Sequence, residues 1–510
     1  MAESNVSYWN KTAKKLGCAP LRKSCTTDVL VIGGGITGIT CAYCLAQKGI
    51  RPILIETEGI CGGTTGNTTG KVTIQHNILY SNLIKKYGQD AAKQYARSQS
   101  DALDFVRTQV NTLSIDCQLT ENTSYVYAHT PEDLAAVERE WQAALQLGIE
   151  AELVRKPDFP VPNCGMVGFR RQAVFHPVRY LYTLAHCAAV MGAGIYCDTK
   201  AVRLEPGDVN TVYCEHDIVV RAKHVVMATQ YPFYDGPNLF FTRLYAKRAY
   251  GIAVKPERDW PEGSFINVSS PARSVRSHTE NGERILIVVG ESHVTGRGEP
   301  NMERHYEALT EFARSIAGEP RVLARWSAQD YETPDQIPYI GRVSDGSNLY
   351  AAAGFGKWGL SGGTLAGSMI SDLIATGSCP YEGLYSRTRG DFLSSPGKAG
   401  KEILTPVWEL IKSKLEDTEP LTGLQQGQGR VIRFEGKRAG IYRGYDDHVT
   451  ILDISCTHMT TGLNFNPAEH TWDCPAHGGR FSAQGRLLEG PPKHNLRVLF
   501  EGSFSELAQR

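Results

Sequence analysis

The sequence predicts an α/β chain: a doubly wound, parallel-sheet domain at its start, a second mixed sheet interleaved with it, and a small all-β module at its end. Three observations carry this. An apolar run suited to a buried strand, Thr27–Ile32, leads straight into GGGITG and a helical stretch to about Lys48. A second such run, RPILIE at Arg51–Glu56, follows it, and parallel strands this close in sequence need a helical crossover. Beyond the turn-rich LTGLQQGQGR, roughly 80 residues of short β-like runs remain, enough for one small β domain.

From Tyr80 to Gly148 the pattern is mainly helical, and Pro131 in PEDLAAVEREWQAALQLG suits a first helical turn. From about Leu153 to His293, β-rich runs such as VVMAT and ILIVVG alternate with turn residues, which implies a mixed sheet and a substrate-binding domain. Ala351–Ile374 is again apolar and glycine-rich and then reads as helix, completing the first domain late in the chain. The expected division is discontinuous: 25–80, 150–235 and 330–385 in the nucleotide-binding domain, 81–149 and 236–329 in the substrate domain. A linker over 386–420 contains the amphipathic KEILTPVWELIKSKLEDTEP, and the β module covers 421–510.

Composition narrows the function. With 510 residues, the chain has room for about three domains. Its 54 Lys and Arg balance 54 Asp and Glu, which argues against nucleic acid or an anionic membrane as partner. The 51 glycines exceed the usual share of about 7% and suggest loops that approach a ligand closely. Thirteen cysteines spread over a long chain, behind an N-terminus without a signal-peptide core, fit a reducing, cytoplasmic setting. The uncharged stretch Val29–Gln47 carries glycines at 33, 34, 35 and 38, which suit strand, turn and helix rather than a membrane span.

Gly33-x-Gly35-x-x-Gly38 lets the backbone turn tightly, approach a pyrophosphate, and offer it the N–H groups of a helix N-terminus. Glu56, ending the next strand, is placed to accept from ribose hydroxyls, so this is a Rossmann-like fingerprint that leaves NAD and FAD open. Three further segments decide: GGTTGNTTGKVTIQH (62–76), VVMATQYP (225–232, containing Thr229) and GFGKWGLSGG (354–363). Together they resemble the D-amino-acid oxidase and glycine oxidase type of FAD-dependent oxidoreductase over roughly 25–385. The resemblance implies that Thr64, Thr65, Asn67 and Lys71 lie near FAD, with Gly354, Phe355, Lys357, Trp358, Gly359 and Leu360 on its other side and the Val202 backbone at the adenine. A helix N-terminus or lysine at the flavin N1/C2 end would stabilise the negative charge that develops on reduction; Lys357 and the N–H groups of Gly359 and Leu360 are candidates.

A second redox site is expected at Cys456-x-His458 and, after 15 intervening residues, Cys474-x-x-His477. Each half offers one thiolate and one imidazole, the donor set of a 2Fe-2S cluster with two cysteines on one iron and two histidines on the other. Zinc sites instead pair C-x2-4-C with H-x3-5-H. The pattern, followed by Gly490-Pro491-Pro492, resembles the Rieske ferredoxin domain over roughly 421–510. It lacks the added loop cysteines of respiratory Rieske proteins, the places being held by Met459–Gly462 and Ala476, so no stapling disulfide is expected; with fewer polar groups evident near the sulfurs, a potential low in the range of about −150 to +300 mV is expected. A ring-hydroxylating oxygenase would need a separate iron site after the cluster, and only 33 residues with one histidine follow His477.

Whole-length agreement is with FAD-dependent oxidoreductases that carry a C-terminal Rieske domain. The resemblance implies oxidation of a C–N bond in an amine or amino acid, hydride passing to flavin N5 and electrons leaving singly through the cluster to a protein or quinone acceptor. Candidates for shaping the substrate site are Lys71, His176, Tyr250, Arg276, His293 and Lys357, with Arg276 suited to fork a substrate carboxylate. Sarcosine-oxidase-like relatives place an oxygen-activating lysine in a strand resembling Ile285–His293, which here has none. That favours a dehydrogenase over a peroxide-forming oxidase. The same pair of cofactors would also suit a reductase, with electrons running from the cluster to FAD, or a redox sensor without turnover.

Overall fold

The structure, a computed structural model, describes residues 5–234, 243–297, 301–389, 418–420 and 423–507. The chain forms two compact units: Met1–Tyr234, Ala249–Ser292 and Tyr306–Arg389 in unit 1, and Asp235–Arg248, His293–His305 and Gly390–Arg510 in unit 2. Of the expected linker, 390–417 lies outside the described residues.

A short helix, α1 (Tyr8–Thr12), precedes β1 (Cys25–Ile32), α2 (Ile36–Gln47) and β2 (Ile53–Ile55), the expected βαβ unit. The last four residues of β1 are buried, as a parallel strand covered on both faces requires. A 3-10 turn at Thr64–Asn67 leads to β3 (Lys71–Val72) and the long α3 (Tyr80–Thr112), which kinks at Gly88. Next come β4 (Thr120–Ala128), α4 (Pro131–Gln146), β5 (Ala151–Val154), β6 (Gly165–Val174) and α5 (Pro177–Val190). From α4, buried Glu140 accepts the N–H groups of Leu79, Tyr80 and Ser81 and so caps α3. Strands β7 (Gly194–Tyr196), β8 (Ala201–Glu205), β9 (Asn210–Cys214), β10 (Val219–Met227), β11 (Tyr245–Lys255), β12 (Ser264–Asn267), β13 (Ser274–Glu280) and β14 (Glu283–Val294) follow. Then come α6 (Glu303–Ala317), β15 (Arg321–Glu332), β16 (Tyr339–Arg342), β17 (Leu349–Ala353), α7 (Gly359–Thr376) and α8 (Glu382–Tyr385).

One sheet runs β16-β17-β10-β1-β2-β7, with β9 and β8 attached to β10; β17, β10, β1, β2 and β7 are parallel. The other runs β15-β11-β14-β13-β12-β4-β6-β3, with β5 on β6. This corrects the expected division in two places. Residues 151–154 and 165–174, expected in the nucleotide-binding domain, pair in the second sheet. Residues 243–248, 293–297 and 301–305, expected in the substrate domain, group with unit 2. The β-rich runs from about Leu153 announced the second sheet, but the apolar pattern of a strand reports its burial and not its partner, so the domain bounds were not legible. No helix among the described residues is long and apolar enough to cross a membrane.

Unit 2 contributes two antiparallel sheets: β18 (Gly429–Phe434), β19 (Lys437–Arg443), β20 (His448–Leu452) and β25 (Val498–Ser503), then β21 (Asn464–Asn466), β22 (Thr471–Asp473), β23 (Arg480–Ser482) and β24 (Leu487–Glu489). Ile432, Ile441, Val449 and Ile451 pack one core; Leu452, Ile454, Leu463, Trp472 and Phe481 pack another that includes Cys456 and Cys474. Burying a side chain such as Phe481 contributes about 1.5–3 kcal/mol. Cys18 and Cys197 form a disulfide across 179 residues of sequence, against the expectation of reduced cysteines; the other eleven are free. Their meeting depends on a bridge between Pro20 and Cys197 that no spacing rule reveals.

Candidate functional site

The Gly-rich turn of unit 1 is built for close approach. A Cβ on Gly33 (φ +113°) would strike the Ala228 carbonyl, and one on Gly38 would strike the Gly33 carbonyl. Gly35 is the N-cap of α2 and has no side chain to cap it, so beyond Ile36 the first-turn N–H groups of Thr37 and Gly38 are left for a ligand. Ile36 N–H donates to Thr65 Oγ1 at 3.2 Å. Glu56 is held in place by its N–H to Tyr196 O at 2.8 Å, and its carboxylate accepts from Gly34 N at 2.5 Å. Burial raises its pKa, against the pull of those N–H donors. Val202 is passed over by the β8/β9 ladder, which pairs Ala201 and Arg203 on either side. This cradle, with an acid where a ribose would lie, fits a dinucleotide such as FAD.

The end of β15 gathers the other expected segments. Gln329 O accepts from Thr64 Oγ1 at 2.7 Å and from Gln230 Nε2 at 2.5 Å, while Thr229 Oγ1 donates to Tyr231 O at 2.7 Å. Buried Asp330 accepts from the Lys357 N–H at 2.6 Å and the Tyr331 N–H at 2.8 Å. Its carboxyl is raised to about 6 by burial. The loop from Gly354 to Trp358 is thereby tied to β15, Phe355 bridging Glu332, and α7 starts at Gly359 and Leu360 with Trp358 as N-cap and no side-chain cap. Trp358 stacks on His76 at 4.6 Å, and His76 is fixed by Tyr95 OH and Thr73 O, both at 2.8 Å. Trp326 donates to Asn67 O at 3.0 Å, and the Asn67 amide to Gly63 O at 3.1 Å. Sequence reasoning missed Gln329, Asp330, Trp326 and the stacking role of His76. The polar pair Gln329-Asp330 inside a strand-like run was the available signal.

Lys71 is half-buried, its Nζ 2.7 Å from Ser274 Oγ and 5.7 Å from the centre of the Trp358 ring. Desolvation first, then the nearby Arg276, lowers its pKa to about 7. Arg276 is fully buried, but its fork donates to the backbone carbonyls of Thr69, Phe175 and Ser277. Three of its five N–H groups are therefore engaged by the protein, one on each nitrogen, which leaves no free pair on one edge for the expected carboxylate fork across Nε and Nη2. His176 is the N-cap of α5: Nδ1 accepts from Arg179 N, and Nε2 meets Thr12 Oγ1 at 3.0 Å. With both nitrogens engaged, it serves helix packing. Tyr250 packs edge-on against Tyr306 at 5.0 Å. The Lys357 side chain is exposed, its backbone in the left-handed region at φ 77°. His293 belongs to unit 2, stacked on His305 at 4.9 Å. Of the six catalytic candidates, Lys71 and Arg276 are brought together.

In unit 2 the four expected metal ligands form a cysteine pair and a histidine pair. Two loops of like geometry carry them. Cys456 N bonds Thr461 O and Thr460 N bonds Cys456 O; Cys474 N bonds Gly479 O and Gly478 N bonds Cys474 O. Thr460 and Gly478 both adopt positive φ at the same position in the turn. The two thiols are in hydrogen-bond contact, and Cys474 is the one held down, first by Cys456 and then by the N–H groups of His477, Ala476 and Gly479. The rings of His458 and His477 lie 5.1 Å apart at 81°. A thiol pair beside an imidazole pair fits two irons with two protein donors each.

Behind the loops, Arg480 bonds Asp473, Glu469 and Glu489, at 3.1, 2.5 and 2.6 Å. Arg248 bonds Glu469 at 3.1 Å and Glu489 at 3.0 Å, and all five side chains are largely buried. Arg297 Nε donates to Pro475 O at 3.1 Å, and Gly296 O accepts from Asn464. These mid-chain contributors were also missed.

The family model for FAD dependent oxidoreductases matches residues 28–373, and that for the Rieske [2Fe-2S] domain matches residues 418–500. The chain is 35% identical over 502 residues to the Rieske 2Fe-2S iron-sulfur protein YhfW of Bacillus subtilis (strain 168), covering 98% of both chains. It is 24% identical over 410 residues to gamma-glutamylputrescine oxidoreductase of Escherichia coli (strain K12), covering 73% of this chain and 90% of that one. Among solved structures it shares its fold with L-proline dehydrogenase from P. horikoshii (TM-score 0.61, 18% identity, 72% of this chain and 98% of that one). Glycine oxidase from Geobacillus kaustophilus is similar to the same degree (TM-score 0.60, 18% identity, 72% and 99%).

Proposed function

The chain belongs to the FAD-dependent oxidoreductase family, carries a C-terminal Rieske domain, and so takes FAD and a 2Fe-2S cluster; from that premise we propose that it is an amine or amino-acid dehydrogenase with an external one-electron acceptor. The observation that carries this reading is the paired Cys456/Cys474 and His458/His477 set on the same chain as a flavin domain, a route for electrons that an oxidase discharging to oxygen does not need. The absence of a lysine from Ile285–His293 points the same way. Gamma-glutamylputrescine, L-proline and glycine, named in the similar proteins, all offer a C–N bond, which supports that substrate class.

When bound, FAD supplies a two-electron hydride acceptor and the cluster a one-electron carrier. Gly33, Gly35 and Gly38 would hold the pyrophosphate, Glu56 the ribose and the Val202 backbone the adenine. Thr64, Thr65, Asn67, Thr229, Gly354, Phe355, Trp358, Gly359 and Leu360 would border the ring. The open N–H groups at the start of α7, with Lys357 beside them, favour negative charge there. Lys71, near half-neutral at pH 7, takes the proton from a substrate ammonium at Nζ and so keeps the reacting nitrogen's lone pair available. Exposed Met459, beside His458, marks where an acceptor protein or quinone would approach the cluster loop.

Anaerobic titration of the cofactor-replete protein with primary, secondary and N-methyl amines, following flavin absorbance and the reduced-cluster EPR signal together, tests this. One amine should bleach the flavin, with the EPR signal growing afterward. If no amine does so while dithionite reduces both centres, the reading fails in favour of the reductase direction; stoichiometric peroxide in air would favour the oxidase.

A further inference from the structure

Residues 5–21 precede the matched oxidoreductase span, and their helix α1 lies on the Gly66–Lys71 segment. Ser7 Oγ donates to Gly66 O at 2.5 Å, joined by Asn10 Nδ2 at 3.5 Å. Trp326 Nε1 holds Asn67 O at 3.0 Å, Trp9 Nε1 holds Thr68 O at 2.7 Å, and Arg276 Nε holds Thr69 O at 2.6 Å. Four successive carbonyls are thus anchored by side chains. The Arg276 guanidinium lies 4.8 Å from the Trp9 ring, which joins α1 to β13. Gly70 (φ +73°) makes the close approach possible, since a Cβ there would strike Arg276 Nη2 and Phe175 O.

In a trans peptide each carbonyl and the following N–H point in opposite directions. Anchoring Asn67 O and Thr68 O therefore turns the N–H groups of Thr68 and Thr69 away from their anchors. Among the described residues neither N–H meets an acceptor, whereas the N–H of Gly70 is taken by Thr68 Oγ1 at 3.4 Å. The far end of residues 5–21 is fastened by the Cys18–Cys197 disulfide, by Cys197 N to Ala19 O at 3.1 Å, and by Leu21 N to Thr199 Oγ1 at 3.0 Å.

We propose that α1 is a clamp, with Ser7 and Trp9 as positioning residues, that fixes the peptide orientation of Gly66–Gly70 so that the Thr68 and Thr69 N–H groups stay presented to the flavin. This rests on the reading that residues 62–76 border FAD. The clamp sets affinity for the cofactor before any substrate arrives, because donors fixed in advance cost no ordering on binding.

The test uses the full-length holoprotein and two variants, Trp9→Phe, which keeps a ring beside Arg276 but removes the indole N–H, and the smaller Ser7→Ala. Amide hydrogen exchange over peptides spanning 62–76 and the FAD dissociation constant are measured, with the cluster EPR signal as a control for folding. Loss of one such hydrogen bond should speed exchange at 66–70 and weaken FAD binding, each by up to about tenfold, with the EPR signal unchanged. Unchanged exchange, or faster exchange with unchanged FAD affinity, overturns the clamp. Lys71→Met, in the same segment but outside the clamp, separates the two failures. If it alters the flavin spectrum while the clamp variants leave FAD binding intact, the clamp alone is wrong; if it too leaves flavin binding and spectrum unchanged, the placement of FAD falls with it.

Discussion

Lys71 has Ser274 as its hydrogen-bond partner and Arg276 as its charged neighbour, so no carboxylate offsets its burial among the described residues. Its folded pKa of about 7 lies below the unfolded value of about 10.4, so the unfolded chain binds the proton more tightly. The resulting destabilisation is full below about pH 7 and fades as pH rises toward 10. Lys71→Met should therefore be more stable than the parent at pH 7, with the gap closing toward pH 10 in urea unfolding of the two proteins. In pre-steady-state flavin reduction, the parent rate should rise through about pH 7 and the variant should lose both that inflection and most of its rate. A flat parent profile would remove Lys71 from proton transfer. At the second centre, Cys474→Ser should abolish the cluster EPR signal while leaving the flavin spectrum in place, because its loop belongs to a separate unit.

The strand β15 shows how an element does work that its pattern does not announce. Its end holds Thr64, Gln230 and the Lys357 N–H through Gln329 and Asp330. Asp330→Ala should leave the 354–358 loop without its anchor, costing about 1–3 kcal/mol and weakening FAD binding, as seen by fluorescence of released flavin. What was legible in the sequence was local: strand, glycine turn, helix and acid are contiguous, and the cluster ligands sit in two short loops whose spacing is itself chemical information. What was not legible needed a partner distant in sequence. Arg276 looked like a carboxylate fork because nothing in PARSVRSH tells that three carbonyls will take one N–H from each of its nitrogens. In unit 2, the β23 residue Arg480 faces three carboxylates, and Arg480→Met should destabilise that unit by about 3–5 kcal/mol through the buried acids left behind, lowering the temperature at which the cluster signal is lost.

At the scale of the whole molecule, the balanced charge leaves no single-sign field to draw in a polyanion, so recognition of substrate and acceptor falls to local chemistry in each unit. Unit 2 is assembled from three stretches of chain. Glu469, Asp473 and Glu489 outnumber Arg480, and Arg248, far upstream, reduces the imbalance; Gly296 and Arg297 touch the ligand loop itself. The cluster module is consequently no portable cassette. A gene fragment beginning at residue 418 would carry all four iron ligands and still lack a buried counter-charge and part of one wall, and a swap of this module between relatives would succeed only when positions 248, 296 and 297 travel with it.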